Sequence, residues 1–115
     1  MENKKLNCLS NLPEPPYYVV VFASKLATEN TGYAQAAQRM MELAVKQEGF
    51  LGVDSVREGN AGITVSYWKD ESSILNWKKQ QEHMLAQKAG RSQWYDEYSL
   101  HVAKVERSYN FKRDI

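Results

Sequence analysis

Cysteine is almost missing from this chain: Cys8 stands alone, so no disulfide can close within one molecule and a thiolate metal site lacks neighbouring ligands. Histidine is nearly as scarce. His83 and His101 are the only two; they fall on different elements, and the glycines are isolated, so no metal constellation, phosphate loop or dinucleotide motif is present. Long apolar runs are absent as well. The longest, Tyr17 to Ala23, has seven residues, against the roughly 20 that a membrane-spanning helix requires. The opening residues are polar and hold all three prolines, Pro13, Pro15 and Pro16. They lack the apolar stretch of a secretory leader, and a cytoplasmic location is the expectation. Neither sign of charge dominates. Fifteen basic and 14 acidic side chains leave a formal +1, which gives no overall field to gather nucleic acid, anionic lipid or an acidic substrate.

What remains is a chain of 115 residues, enough for one core. Residues 1–16 read as a flexible or surface-lying arm, 17–109 as the domain and 110–115 as a tail. The run from Tyr17 to Lys25 is β-branched and aromatic and apolar at both parities, a strand covered on both faces. A helix from about Gly32 to Gln47, capped by Thr31, follows. Its buried stripe is Tyr33, Ala36, Ala37, Met40, Met41, Ala44 and Val45, and Gly49 ends it. Phe50 to Glu58 alternates as a half-buried strand. Gly59 and Asn60 suit a tight hairpin, and Ile63 to Trp68 returns antiparallel. Asp70 caps a second helix whose first buried turn holds Ile74, Leu75 and Trp77, and Gly90 is its stop. A last strand covers 95–108, with a phase slip between Val102 and Val105 that reads as a bulge or an exchange of faces.

The order β-α-β-β-α-β is the ferredoxin-like, split β-α-β form of the α+β class: a four-stranded antiparallel sheet with two helices on one face. The other face is left open. Because the first strand is apolar on that side too, a second copy of the chain is the simplest cover, and a homodimer is predicted.

Several blocks are recognisable: Val20-Val21-Phe22-Ala23-Ser24, Glu48-Gly49-Phe50-Leu51-Gly52, Ser66-Tyr67-Trp68-Lys69-Asp70-Glu71, Trp77-Lys78 with His83, Gly90-Arg91-Ser92-Gln93-Trp94-Tyr95, and Val102 to Tyr109. Together, over about Tyr17 to Tyr109, they resemble the antibiotic biosynthesis monooxygenase (ABM) superfamily of dimeric α+β barrel proteins, particularly its small bacterial members. That resemblance implies a homodimer and, in some members, cofactor-independent oxidation of aromatic compounds to quinones. Other members bind and degrade haem, and others have no established activity; the fold alone does not choose.

Cofactor-independent oxygenation needs a substrate that forms a stabilised anion and side chains that orient it and accept its protons. The candidates bordering the space between helices and sheet are Trp77, His83 and Tyr67 for the chemistry, and Tyr33, Ser24, Ser66 and Gln87 for holding a small aromatic or quinol-like substrate. Each has a plainer role as well: a tryptophan on a buried helix stripe is ordinarily core, and a strand tyrosine is ordinarily packing. Trp77 and His83 lie six residues apart, about 240° around an unbroken helix, so sharing a pocket requires a break near Gln80. Trp77 matches the tryptophan that presses on the porphyrin in haem-degrading relatives. Their axial histidine, however, falls where this chain has Gln87, a poor iron ligand, and their first-strand asparagine has only Ser24 as a counterpart. No cofactor is therefore expected, and haem is the minority reading. Trp68, Trp94, Tyr95 and Tyr98 are expected to build the dimer rim and the lid over the sheet edge, and Arg91 to stand at a helix end facing solvent or at the mouth of the cavity. An RNA-binding sheet is disfavoured, because the strand from Gly62 to Trp68 lacks the basic and glycine-aromatic pattern of such modules. A ligand-binding dimer without catalysis stays open as the alternative.

Overall fold

A strand with apolar groups at both parities belongs in the interior of a sheet, and β1 (Tyr17–Leu26) lies there, in the order β2-β3-β1-β4. The computed structural model describes residues 9–87 and 94–113, and of residues 83–87 the backbone only. The other elements are α1 (Tyr33–Ala44), β2 (Phe50–Glu58), β3 (Ala61–Trp68), α2 (Glu71–Gln87) and β4 (Tyr95–Val105). All three strand pairings are antiparallel, which is the ferredoxin-like arrangement expected from the order of elements.

Register assigns the two faces. Tyr18, Val20, Phe22 and Ser24 of β1 oppose Trp68, Ser66, Thr64 and Gly62 of β3. Because Trp68 packs with Ala44 of α1 and Trp77 of α2, this whole set faces the helices. Phe50, Val53, Ser55 and Arg57 of β2 join it through β3, as do Tyr98, Leu100 and Val102 of β4 through β1. The open face then carries Tyr17, Val19, Val21 and Ala23, with Ile63, Val65 and Tyr67 beside them. The core sits at the end of the helix side where β1 begins. Trp68 is 0 % exposed, its ring stacked on Trp77 at 6.3 Å and met edge-on by Phe50 at 5.5 Å. Val20, Met40, Leu43 and Ile74 close around them.

Several expectations about local structure are corrected. Thr31 does not cap α1: Gly32, at φ 90°, is the N-cap, with no side-chain hydrogen bond to the helix amides, and the Thr31 hydroxyl turns to Glu29 instead. The helix stops at Ala44, leaving Val45 exposed. Leu75 is 57 % exposed, so Ser73, Ile74 and Trp77 form the inner side of the first turns of α2. No break occurs at Gln80, and α2 runs on to Gln87. In β4 the register is regular from Glu97 to Val105; the irregularity lies at the other end, where Glu97 pairs with Lys25 and Tyr95 with Leu26. Val102 and Val105 point to opposite faces because they are an odd number of residues apart. Trp68 and Trp94 are buried within the chain (Trp94 beneath the β1–α1 loop) and are not a rim. Their parity and position decide this, since an aromatic-rich segment alone does not say which ring turns inward.

Other local features are as expected. Gly59 and Asn60 make the two-residue turn between β2 and β3, Gly59 at φ 62°. Asp70 caps α2: its Oδ1 accepts from the Ser73 amide at 2.9 Å and from the hydroxyls of Ser73 and Ser72 at 2.8 and 3.1 Å. Gly49 takes φ 88°, and a Cβ there would overlap the Ser73 side chain, so this turn needs glycine for both reasons. Cys8, the expected helix stop at Gly90, and Arg91 lie outside the described residues.

The described part of the arm crosses the open face at one end. The Ser10 amide and hydroxyl both donate to Asp54 Oδ1 at 2.9 Å, and Gly52 leaves room for Ser10 and Leu12. Beyond the arm, the open face carries a shallow concavity of about 570 Å³ lined by Ala23, Val56, Ala61 and Ile63 among others. Val56 is 69 % and Ile63 49 % exposed.

Candidate functional site

A sheet face under helices is normally apolar, because buried hydroxyls need partners. Here the helix side changes character along its length. Past the tryptophan core it carries Ser66, Thr64, Ser55 and Ser24, so β1, β2 and β3 all contribute hydroxyls. The Ser66 hydroxyl accepts from Trp68 Nε1 at 2.9 Å, and the Ser55 and Thr64 hydroxyls pair at 2.8 Å. Ser24, 8 % exposed, accepts from Arg57 Nη2 at 3.0 Å.

Arg57 joins three elements. Its Nη2 also donates to the Tyr33 hydroxyl of α1 at 3.2 Å, and its Nη1 to the Asn60 carbonyl of the hairpin at 2.9 Å. The guanidinium stands 5.4 Å from the centre of the Tyr33 ring, a distance at which a cation is attracted to an aromatic face. Gly62 makes room for it, since a Cβ there would run into the guanidinium. Around this group stand aromatic rings. Tyr33 meets Trp94 and Tyr95 edge-on at 5.9 and 5.7 Å, and Phe22, Tyr95 and Tyr98 lie within 5.6 Å of one another. Trp94 Nε1 donates to the Thr31 carbonyl at 3.0 Å, fixing the loop that leads into α1. Burial first, and then Tyr33 through its charge and a hydrogen bond, raise the Tyr95 hydroxyl well above the ordinary phenol range, while Arg57 pulls the other way. Among the described residues no cluster of three or more His, Cys, Asp or Glu side chains could hold a metal ion, and no helix is long and apolar enough to cross a membrane.

Residues 16–89 match the antibiotic biosynthesis monooxygenase family. The chain belongs to that family. It is 48% identical over 110 residues, covering 95% of this chain and 96% of the relative, to the uncharacterized protein YqjZ of Bacillus subtilis strain 168. A shorter stretch of 46 residues is 35% identical to the jasmonate monooxygenase ABM of Pyricularia oryzae, covering 40% of this chain and 21% of that protein. Among solved structures, a point mutant of SnoaB, a cofactor-independent oxygenase from Streptomyces nogalater, superposes with a TM-score of 0.64 at 14% identity. The match covers 80% of this chain and 95% of SnoaB. NE2512 of Nitrosomonas europaea, a protein of unknown function, superposes at 0.67 with 10% identity, over 88% of this chain and 100% of the other. At such identities the structural likeness is one of fold.

Within this ABM domain the residues singled out from sequence separate. Ser24, Tyr33 and Ser66 face the space between helices and sheet, Ser24 and Tyr33 meeting through Arg57. Trp77 faces the same side, but it is stacked in the core at 8 % exposure. Tyr67 does not border that space. It lies on the open face, donating to Asp54 Oδ2 at 3.0 Å beside the Tyr17 ring, and burial and that hydrogen bond push its hydroxyl up to about 12. Neighbours in a strand point to opposite faces, so Ser66 and Tyr67 cannot share a pocket. The side chains of His83 and Gln87 lie outside the described residues. Because α2 is unbroken at Gln80, positions 77 and 83 stay about 240° apart around its axis. Arg57 is missed by the sequence reading. Its signal is parity: it is an arginine on the helix-facing side of β2, two residues before the turn.

Proposed function

We propose that this ABM-family chain is a cofactor-independent monooxygenase that oxidises a small phenolic or quinol-like aromatic compound on the helix side of the sheet. One observation carries this reading: on the sheet side that faces the helices, hydroxyls from three strands stand past the tryptophan core, and Tyr33 of α1 meets Ser24 there through Arg57. The likeness to SnoaB supports an oxygenase without a cofactor.

The reaction needs a substrate anion more than protein chemistry. A deprotonated phenol passes one electron to dioxygen, the resulting pair recombines at a ring carbon bearing hydrogen, and the hydroperoxide loses water as that hydrogen leaves to a base. For a phenol with an open para position the balance is phenol plus O₂ giving quinone plus H₂O. Ser24, Ser66 and Tyr33 position the ring and its oxygen and Trp77 closes the core end; the base is solvent water, since α2 is unbroken at Gln80 and keeps position 83 about 240° around the helix from Trp77. The open face is covered by a second copy, since Val56 and Ile63 are otherwise left to water.

Oxygen uptake with a panel of electron-rich phenols and anthrones, in buffer containing a metal chelator, tests this. One O₂ should disappear per substrate without hydrogen peroxide. Ser24→Ala with Tyr33→Phe should slow uptake about tenfold or more. Uptake no faster than in buffer, across the whole panel, would favour the ligand-binding reading. Light scattering should give twice the 13.3 kDa chain mass; a monomer at micromolar concentration would refute the second copy.

A further inference from the structure

Arg57 is placed as few surface arginines are. Its guanidinium has five N–H donors. Three are committed, to Ser24, Tyr33 and Asn60, and all three partners are neutral oxygens. No carboxylate pairs with it among the described residues. The bonds hold the group at a fixed place on the helix side, flat against Gly62 and beside a wall of aromatic rings. Its Nε–H and one Nη1–H remain, and the Arg57 side chain is exposed and so within reach of a ligand.

We infer that Arg57 is an oxyanion-binding residue: its guanidinium holds an aromatic substrate in the deprotonated form, as phenolate or enolate, with the Tyr33 hydroxyl as the second hydrogen-bond donor. The inference rests on the monooxygenase reading and deepens it by naming the substrate class, acidic phenols and enolisable ketones whose ring can lie among Phe22, Tyr95 and Tyr98. Tyr33 fits this role because its oxygen accepts from Arg57. Its own proton is then the one it has to offer. A guanidinium without a counter-ion favours the charged form of a bound acid and lowers its pKa. The anion is the species that can pass an electron to oxygen.

The test is the ionisation of bound para-nitrophenol, a phenol whose anion is coloured. In the unmodified protein the bound para-nitrophenol should titrate about one pH unit lower than the same compound free in solution, a tenfold preference for the anion. Arg57→Gln should abolish the preference and Arg57→Lys should keep part of it. Gly62→Ala, which retains the charge but displaces the guanidinium, should reduce the preference and settles the matter if Arg57→Gln does not fold. Absence of binding, an unshifted pKa in the unmodified protein, or the same shift in the Gly62→Ala and Arg57→Gln variants as in the unmodified protein would overturn the inference. Oxygen uptake is read separately. Phenolate preference without uptake leaves Arg57 standing and removes the monooxygenase reading. Uptake with an identical rate and pH profile in Arg57→Gln removes the Arg57 inference alone.

Discussion

The two ends of the helix-covered face are built from opposite materials. Where β1 begins, Trp68, Trp77 and Phe50 fill the space between sheet and helices, and their contacts are ring against ring. Where β1 ends, Ser24, Arg57, Tyr33 and Tyr95 meet through hydroxyls and a guanidinium, with the outer aromatics half open. One end gains rigidity through apolar contact; the other holds polar groups in fixed positions without closing over them. Residues of one type therefore do different work according to the end at which they stand, and Trp77 and Tyr33 belong to different structures although both are helix aromatics facing the sheet.

The largest effect that would sharpen this contrast is on stability. Trp68→Ala removes the one large side chain with no exposure among the described residues and should cost about 3–5 kcal/mol, as large-to-small core changes do. Ser24→Ala, at the other end, should cost about 1 kcal/mol, the scale of one hydrogen bond. Denaturant melts of both variants measure this directly, and equal costs would erase the distinction. Trp77→Ala should lose oxygen uptake only as far as it loses fold. A fully folded, inactive Trp77→Ala protein would move that residue into the site.

That contrast is only half legible in the sequence. The element order, the hairpin at Gly59 and the Asp70 cap follow from local chemistry, and each strand and helix is visible in its own periodicity. The face on which a residue lies depends on register, which a single strand does not announce. Tyr67 and Ser66 are adjacent, so at most one can face the helices, and the choice waits on Trp68 packing against Trp77. Trp94 reads as a rim residue because nothing local says that the loop before α1 will fold over it. Parity can place Arg57 on the helix side of β2, but its role stays hidden because its partners, Ser24 and Tyr33, lie 33 and 24 positions away.

On the open face beside the aromatic end, the Ser10–Asp54–Tyr67 link is a control that leaves both ends of the helix side untouched. Tyr67 is pushed up to about 12, burial being the larger cause. A raised phenol contributes stability in full below its ordinary value near 10 and loses it as pH rises through the folded value. Melting temperature should therefore fall between about pH 10 and 12, and Tyr67→Phe should flatten that fall in part, with Tyr95 supplying the remainder. At neutral pH the substitution should cost about 1 kcal/mol and leave phenolate binding at Arg57 unchanged. If that binding changes, the two faces of the sheet are coupled and the division by face fails.

The smallest effect concerns how α2 is started and hence how Trp77 reaches its place. Hydrogen bonds from the Ser73 hydroxyl and amide, then from Ser72, hold Asp70 below the ordinary carboxylate range. A carboxylate with a depressed value contributes stability above its unfolded pKa and loses it as pH falls through the folded one. Melts taken from neutral pH into acid below the ordinary carboxylate range should therefore show a small loss that Asp70→Asn, which keeps an acceptor for the Ser73 amide, does not share. Because Ser73 also packs against Gly49, the loss should appear in the fluorescence of the tryptophan core before it appears in para-nitrophenol binding. The reverse order would show that the polar end depends on the α2 cap more than the aromatic end does.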